Sequence, residues 1–325
     1  MNCILFTDTH FGVKLNSVTW LKSQAAFIEE QLIPYIEGLD EHILLVHLGD
    51  VFDSRSTIST MVAKRVHELF TELASISNVE EFIVIGGNHD YYYPTSNEVD
   101  SLELMLSDIK KIRIVNKECY VRDQYLFVPW YEYFETDKIN MLISENDIKS
   151  MFTHADIVTE QSPYNIDVYS GHIHYPNFKP GRYNLGSCYP LTFSDSNQNR
   201  CFYYLKDSSL ASIPNSKSIR FWRLYNEQIV GQSAQIENDG GNYGSNDYIE
   251  LYIDKGNQLK QEYIDAVNAF VKHFKNIWII PQGSITTEDD IAGQYDNFNI
   301  ETIVTDAVPQ ELHSKFDQIL QSLQQ

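Results

Sequence analysis

The sequence predicts an α/β fold: two β-sheets packed as a sandwich and flanked by helices, then a small α/β capping domain and a C-terminal helix. Three observations predict it. Short apolar runs alternate with helical periodicity in the first part of the chain. Strands dominate from about residue 112 onward. A separate strand-helix-strand pattern begins after about residue 215.

Residues 3–7 read as a buried strand that ends on Asp8. Residues 19–36 carry Trp20, Phe27, Ile28 and Leu32 at helical spacing. Residues 43–48 form a second strand, which runs into Gly49-Asp50. Ile58, Met61, Val62, Val66, Leu69, Phe70 and Leu73 recur at steps of three or four, the mark of an amphipathic helix. Residues 82–85 form a third strand, ending at Gly86-Gly87-Asn88-His89-Asp90. Later runs at 112–115, 125–128, 150–153, 168–170, 183–185 and 201–205 look extended and supply a second sheet packed on the first. The composition turns Ser-rich over 207–218 and rich in Gly and Asn over 238–246. Between and beyond these stretches lie strands at 219–225, 248–253 and 277–280 and a helix over 258–275. Residues 306–325 read as a helix with Leu312, Phe316, Ile319, Leu320 and Leu323 on one face. The chain divides accordingly into residues 1–215, 216–290 and 291–325.

The 325 residues, 43% of them hydrophobic, suffice for one large core and a smaller one. The formal net charge is −21, with 45 acidic against 24 basic residues. Phosphate binding rests on Lys and Arg, so such a chain is poorly suited to hold nucleic acid by itself. Either metal ions neutralise carboxylates locally or a partner supplies a basic surface. The four cysteines (Cys3, Cys119, Cys188 and Cys201) show no CxxC spacing and fit reduced thiols of a cytoplasmic protein. The N-terminus has no basic start and too short an apolar run for a signal peptide. No stretch is long and apolar enough to span a membrane.

Residues suited to metal chemistry stand at the ends of successive strands. They are Asp8-Thr9-His10, Gly49-Asp50-Val51-Phe52-Asp53, Gly87-Asn88-His89-Asp90, His154 and Gly171-His172-Ile173-His174. Metal-assisted phosphoester hydrolysis needs hard oxygen and imidazole ligands of this kind. Ligand sites of α/β proteins lie at the carboxyl ends of strands. Each cluster alone is weak: a lone DxH is common, and GD or GNHD fits a turn. GHxH is stronger, since alternation in an extended segment puts both imidazoles on one face. All five in this order are hard to explain as structural accident.

The ordered set DxH, GDxxD, GNHD, H and GHxH resembles the calcineurin-like metallophosphoesterase superfamily, over roughly residues 1–205. Within it the chain is similar to the nuclease subunit of the SbcCD-type DNA repair complex and its phage recombination counterparts. Phe11-Gly12 after DTH, Val128-Pro129-Trp130 after a strand, and the segment LGSCYPLTFSD over 185–195 carry this narrower match. The resemblance implies that Asp8, His10 and His174 bind one metal, that Asn88, His154 and His172 bind another, and that Asp50 bridges the two. His89 would act on the leaving oxygen rather than as a ligand, with Asp53 placed to orient it. The implied metal is manganese; zinc, iron and magnesium suit the same donors. The implied activity is a DNA exonuclease and endonuclease of recombination and double-strand-break repair. The implied partners are DNA and an SbcC-type coiled-coil ATPase, with a homodimer inside a heterotetramer, in the cytoplasm of a host if the gene is phage-borne. In that family the segment beyond the capping domain binds the ATPase. The apolar face of the 306–325 helix is most often explained by docking on its own domain, and it also fits such helix-in-groove docking.

The remaining candidates have plainer readings. His47, inside a strand, is expected to pack or hydrogen-bond; His42, His67, His273 and His313 are expected to be solvated. Tyr91-Tyr92-Tyr93 suits loop packing more than base stacking. Lys14 and Arg55 suit either phosphate contact or solvated charge. Two competing functions remain: a stand-alone phosphomonoesterase or cyclic-nucleotide phosphodiesterase, and a non-catalytic scaffold that tethers DNA ends.

Overall fold

The computed structural model describes residues 2–159, 163–225, 244, 246–254, 272 and 274–282. Its centre is a pair of six-stranded sheets. The first sheet orders its strands Ser209–Pro214, Cys201–Lys206, Asn2–Phe6, Ile43–His47, Val79–Ile85 and Ile112–Val115. Its last four strands are mutually parallel, and Cys201–Lys206 returns antiparallel to Asn2–Phe6. The second sheet orders Asn177–Lys179, Arg182–Asn184, Asp167–Ser170, Ser150–Thr153, Tyr125–Val128 and Tyr120–Arg122.

Side-chain alternation explains the layering. Ile4 and Phe6, Ile43 and Leu45, and Phe82 and Val84 point to one face and pack against helices. Cys3 and Leu5, Leu44 and Val46, and Ile83 and Ile85 point to the other face. They meet Phe127, Phe152 and Tyr169 of the second sheet. Those rings lie nearly parallel across neighbouring strands: Phe127 and Phe152 at 5.1 Å, Phe152 and Tyr169 at 5.3 Å. The far face of the second sheet buries Leu126, Val128, Met151 and Val168 with Ile139 of helix Thr136–Glu145. The layers therefore run helix, sheet, sheet, helix, the sandwich that the strand pattern predicts.

The long N-terminal helix is interrupted. It runs Val18–Phe27, widens over Ile28–Leu32, and resumes over Ile33–Glu37. Pro34 has no N–H to give to the preceding turn, and the hydrogen-bond ladder widens there. Helix Thr60–Ser75 begins at a cap in which Ser59 accepts from the Val62 N–H, and it buries Val62, Val66, Leu69, Phe70 and Leu73.

Beyond these layers, Phe221–Tyr225, Tyr248–Asp254 and Asn276–Gln282 form a three-stranded parallel sheet. Trp20 of the N-terminal helix donates its indole N–H to the Tyr248 hydroxyl at 3.2 Å, and its ring lies 5.9 Å from Phe221. Ile219 and Phe221 join the core on the helical side of the first sheet. The 215/216 boundary falls between the strands Ser209–Pro214 and Phe221–Tyr225. The helix expected over 258–275 lies almost wholly outside the described residues, and the 306–325 helix entirely so. Among the described residues no helix is long and apolar enough to cross a membrane, and the four cysteines are free.

Candidate metal centre

Five loops leave the carboxyl ends of parallel strands and meet at one edge of the sandwich. The first two run side by side: Asp8 N–H donates to Gly49 O at 3.1 Å, His10 N–H to Asp50 O at 3.1 Å and Phe11 N–H to Val51 O at 2.8 Å. The second and third are clamped by Asp90. Its buried carboxylate accepts from the N–H groups of Gly87 (2.9 Å), Asp50 (3.0 Å), Val51 (3.1 Å) and Phe52 (3.2 Å). Burial first, then the Asp50 charge, raises the Asp90 pKa despite those four donors. His154 donates Nδ1–H to Leu48 O at 2.7 Å, which leaves its Nε2 facing the site. The His172 N–H meets the Asp8 carboxylate at 3.2 Å.

Such close approach explains two glycines. A Cβ on Gly171 would stand 2.1 Å from Thr7 Oγ1, and one on Gly87 would stand 2.3 Å from Asp50 N. It also explains backbone strain. Asp8, His10, Asp50 and His172 all take positive φ (53°, 40°, 55° and 74°), a region that non-glycine residues seldom occupy.

The side chains converge in two adjoining groups. In the first, donor atoms of Asp8, His10 and His174 lie within 4.8 Å of one another. His10 Nε2 is 3.2 Å from His174 Nε2 and 3.8 Å from Asp8 Oδ1. In the second group are Asp50, His154 and His172. The Asn88 amide oxygen joins them, 3.2 Å from His154 Nε2 and 2.9 Å from His172 Nδ1. Asp50 Oδ2 stands between the groups, 3.3 Å from His154 Nε2 and 3.7 Å from His10 Nε2. All seven residues assigned as ligands from the sequence are thus brought together.

These donors fit divalent cations. Adjacent ligands of an octahedral cation at about 2.1 Å stand about 3 Å apart, and the closest pairs here are 2.9, 3.2 and 3.3 Å. Hard oxygens mixed with imidazoles suit several first-row metals. The electrostatics point the same way. Burial works to raise the Asp50 and Asp8 carboxyls, but the neighbouring imidazoles outweigh it and hold both below the usual carboxylate range. Burial works to lower His154, but the Asp50 carboxylate raises it to about 9. A buried proton on His154 thus compensates a buried carboxylate, the task that a cation at this place would take over. His172 falls to about 4 through burial and the His154 charge, so its nitrogen keeps a free lone pair.

His89 lies beside the first group, its donor atom within 4.8 Å of those of His10 and Asp50. Its backbone N–H donates to Asp50 Oδ1 at 2.8 Å, and its Nδ1–H to Asp53 at 2.6 Å. The Asp53 acceptor is the main-chain oxygen, so Asp53 meets His89 through its backbone and not through its carboxylate. The Asp53 carboxylate turns instead toward His10, 3.6 Å from Nδ1. The Asp53 N–H is tied to Phe11 O at 3.0 Å, which anchors the residue beside the first ligand loop.

Several supporting residues escaped the sequence reading. The Gln24 amide donates to Thr9 O at 2.7 Å and His10 O at 3.2 Å, and the Tyr189 hydroxyl donates to the same Thr9 O. Arg200, fully buried, donates to His174 O and to the Asp195 carboxylate. Asp195 in turn accepts from the N–H groups of Leu191 and Thr192. The 185–195 segment is thereby bolted to the last ligand loop. The Trp130 ring lies 4.7 Å from His172. Gly87, Asp90, Trp130, Tyr189 and Asp195 stand within sequence motifs; Gln24 and Arg200 carry no local signal.

The plainer readings resolve as follows. His47 is buried, accepts from the Gly49 N–H at Nδ1 and meets Thr9 Oγ1 at 2.9 Å; burial drives its pKa down to about 3. His42 is exposed, and His67 pairs with Asp108 at 3.1 Å; His273 and His313 lie outside the described residues. Tyr91 is buried, but Tyr92 and Tyr93 are exposed, so the tyrosine run is only partly packing. Lys14 is exposed, its ammonium 5.8 Å from the Phe221 ring.

Compared with known proteins, residues 1–176 match the calcineurin-like phosphoesterase family, a span that holds every candidate ligand. No curated relative matches the chain.

Proposed function

The chain belongs to the calcineurin-like phosphoesterase family, and from that premise we propose that it is a two-metal DNA nuclease, the catalytic subunit of an SbcCD-type recombination and repair complex. Metal-dependent hydrolysis of phosphoesters is the chemistry of the family. The observation that carries the reading is the position of Asp50 Oδ2 between two ligand groups, 3.3 Å from His154 and 3.7 Å from His10. Asp8, His10 and His174 would hold one cation, and Asn88, His154 and His172 the other, with Asp50 placed between the two groups. Manganese is the proposed metal. Bound there, the cations supply Lewis acidity toward a phosphoryl oxygen and toward the attacking water.

The chain's own groups do the rest. Asp53 O fixes the tautomer and tilt of His89 through Nδ1. Nε2 is then the nitrogen left to meet the substrate, and in the protonated ring it donates to the leaving oxygen. The Leu48 carbonyl keeps His154 Nε2 aimed inward, and Asp90 holds the Asp50 and Asn88 loops in register. Gln24 and Tyr189 brace the backbone of Thr9 and His10.

Two features support DNA over a small phosphomonoester. The 185–195 segment, beyond the family match, is tied to the His174 backbone through Arg200 and Ser187. The three-stranded sheet packs on the helix that follows the first ligand loop, an added element that a small substrate does not require. The net charge of −21 supports a partner that contributes DNA affinity, an ATPase with a long coiled coil. The test incubates the purified chain with linear DNA and manganese, with and without that ATPase. Cleavage of DNA is expected. Hydrolysis of small phosphomonoesters with no cut in DNA under either condition would overturn the nuclease reading in favour of a stand-alone phosphatase.

A further inference from the structure

A line of aromatic rings leads away from the metal centre into solvent. It starts at His172, whose ring is 4.7 Å from Trp130. Trp130 meets Phe134 edge-on, with centroids 6.3 Å apart and planes at 88°. Phe134 is 57% exposed although its neighbours are fixed: Tyr133 beneath it is buried, and the Tyr164 hydroxyl donates to Tyr133 O. A second arm lies alongside. The Tyr131 hydroxyl donates to Tyr93 O at 2.6 Å and so ties the hairpin Tyr91–Tyr93 and Ser96–Asp100 to the Trp130 turn. Tyr91 anchors that hairpin, fully buried, its hydroxyl donating to Asn116 O at 2.6 Å. Tyr92 and Tyr93 stand out, 49% and 47% exposed, two and three residues beyond Asp90. Apolar rings held in solvent by rigid turns forgo burial free energy unless something covers them.

Resting on the nuclease reading, we propose that Phe134, Trp130, Tyr92 and Tyr93 form a base-stacking track that delivers an unpaired strand of DNA to the metal centre. A base has a π-face on which such rings can stack whatever its identity, so the track is sequence-tolerant. The chain's charge favours this mode over phosphate grip: it is strongly acidic, and of the cations beside the Trp130 turn Lys138 is paired with Glu132, while Arg55 lies near Tyr131. The rings accept only bases already out of a duplex. The enzyme then acts on single strands and frayed ends because its affinity comes from bases rather than from phosphates.

The experiment uses the full chain with manganese and three substrates. They are oligo(dT), the same strand abasic at the nucleotides flanking the cut, and bis(p-nitrophenyl) phosphate. Phe134→Ala and Tyr92→Ala should each raise the KM for oligo(dT) about tenfold, the size of one lost stacking contact. Phe134→Leu, which keeps bulk but has no ring, should behave like Phe134→Ala. All three should hydrolyse bis(p-nitrophenyl) phosphate at the wild-type rate, which also shows that they fold. On the abasic strand wild type and variants should converge. The KM for oligo(dT) should depend on salt with a slope near that of about one or two phosphate contacts. The track is overturned if the variants keep the wild-type KM for oligo(dT), or if wild type takes the abasic strand as well as the intact one. Those results leave DNA cleavage itself standing. If wild type hydrolyses bis(p-nitrophenyl) phosphate but cuts no DNA, the nuclease reading fails and the track fails with it.

Discussion

The two ligand groups are built to different standards. In the group of Asp50, Asn88, His154 and His172, the His154 side chain is fully buried, and its outer nitrogen is fixed by the Leu48 carbonyl at 2.7 Å. The group of Asp8, His10 and His174 is looser. His10 Nδ1 is buried with no hydrogen-bond partner, and an Asp53 carboxylate oxygen stands 3.6 Å away. The His174 side chain is 34% exposed, and only its backbone is tied down, by Arg200. An outer partner sets the tautomer and aim of a ligating histidine, and losing one costs about 10- to 100-fold in metal affinity. The candidate ligands of one group are therefore held in place ahead of any cation, and those of the other are not. The difference predicts two unequal cations, a tight one beside His154 and a weaker one beside His10.

The most severe way to break the comparison is to remove the group that both sites share. Asp50→Ala should cut activity on the order of 10³-fold or more, given the several kcal/mol that metal assistance supplies, and elemental analysis should find both metals depleted. Loss of one metal alone would mean that Asp50 does not serve both groups. His89→Gln should cost about 10²–10⁴-fold in kcat, as expected for an acid–base group, with metal content unchanged. If metal is lost with it, His89 is a ligand and the division of roles is wrong. A chelator titration then sharpens the asymmetry. His174→Ala should weaken one metal by about 10- to 100-fold while the other stays bound; if His154→Ala proves the milder of the two, the preorganised site has been misidentified. Asp53→Ala should have the smallest effect, below about 1 kcal/mol, since the His89 contact runs through the main chain and the carboxylate is partly exposed. A kcat loss as large as that of His89→Gln would show that the carboxylate acts on His89 after all.

The parts of the molecule that the sequence makes legible are those with a local signal. Continuous apolar runs mark the central strands to within three residues, because each strand buries both faces between layers. The ligand clusters stand out because each sits directly after such a run. Which sheet a strand joins is not local: Ile112–Val115 and Cys201–Lys206 lie far apart in sequence, yet both join the sheet of Asn2–Phe6. The strand Ser209–Pro214 hides in a Ser-rich stretch that reads as a linker, since as an edge strand it needs little apolar content. The hairpin after Asn88 carries no such signal, because Ser96–Asp100 is mostly polar and buries only Asp100. The bracing of the centre by Gln24, Tyr189 and Arg200 was out of reach for another reason. Its partners are 15 to 180 residues apart and bond through backbone oxygens, which leave no mark on residue choice.

The left-handed backbone at Asp8, His10, Asp50 and His172 has a practical consequence. Each such non-glycine conformation costs about 1 kcal/mol or more, so a glycine at His10, whose Nδ1 has no hydrogen-bond partner, would relieve strain while deleting a donor. Screens that rank variants of this protein by melting temperature alone would therefore reward damage at the centre. Selection for robustness has to be run with turnover as a second readout, or it will drift toward a sturdier and inert chain.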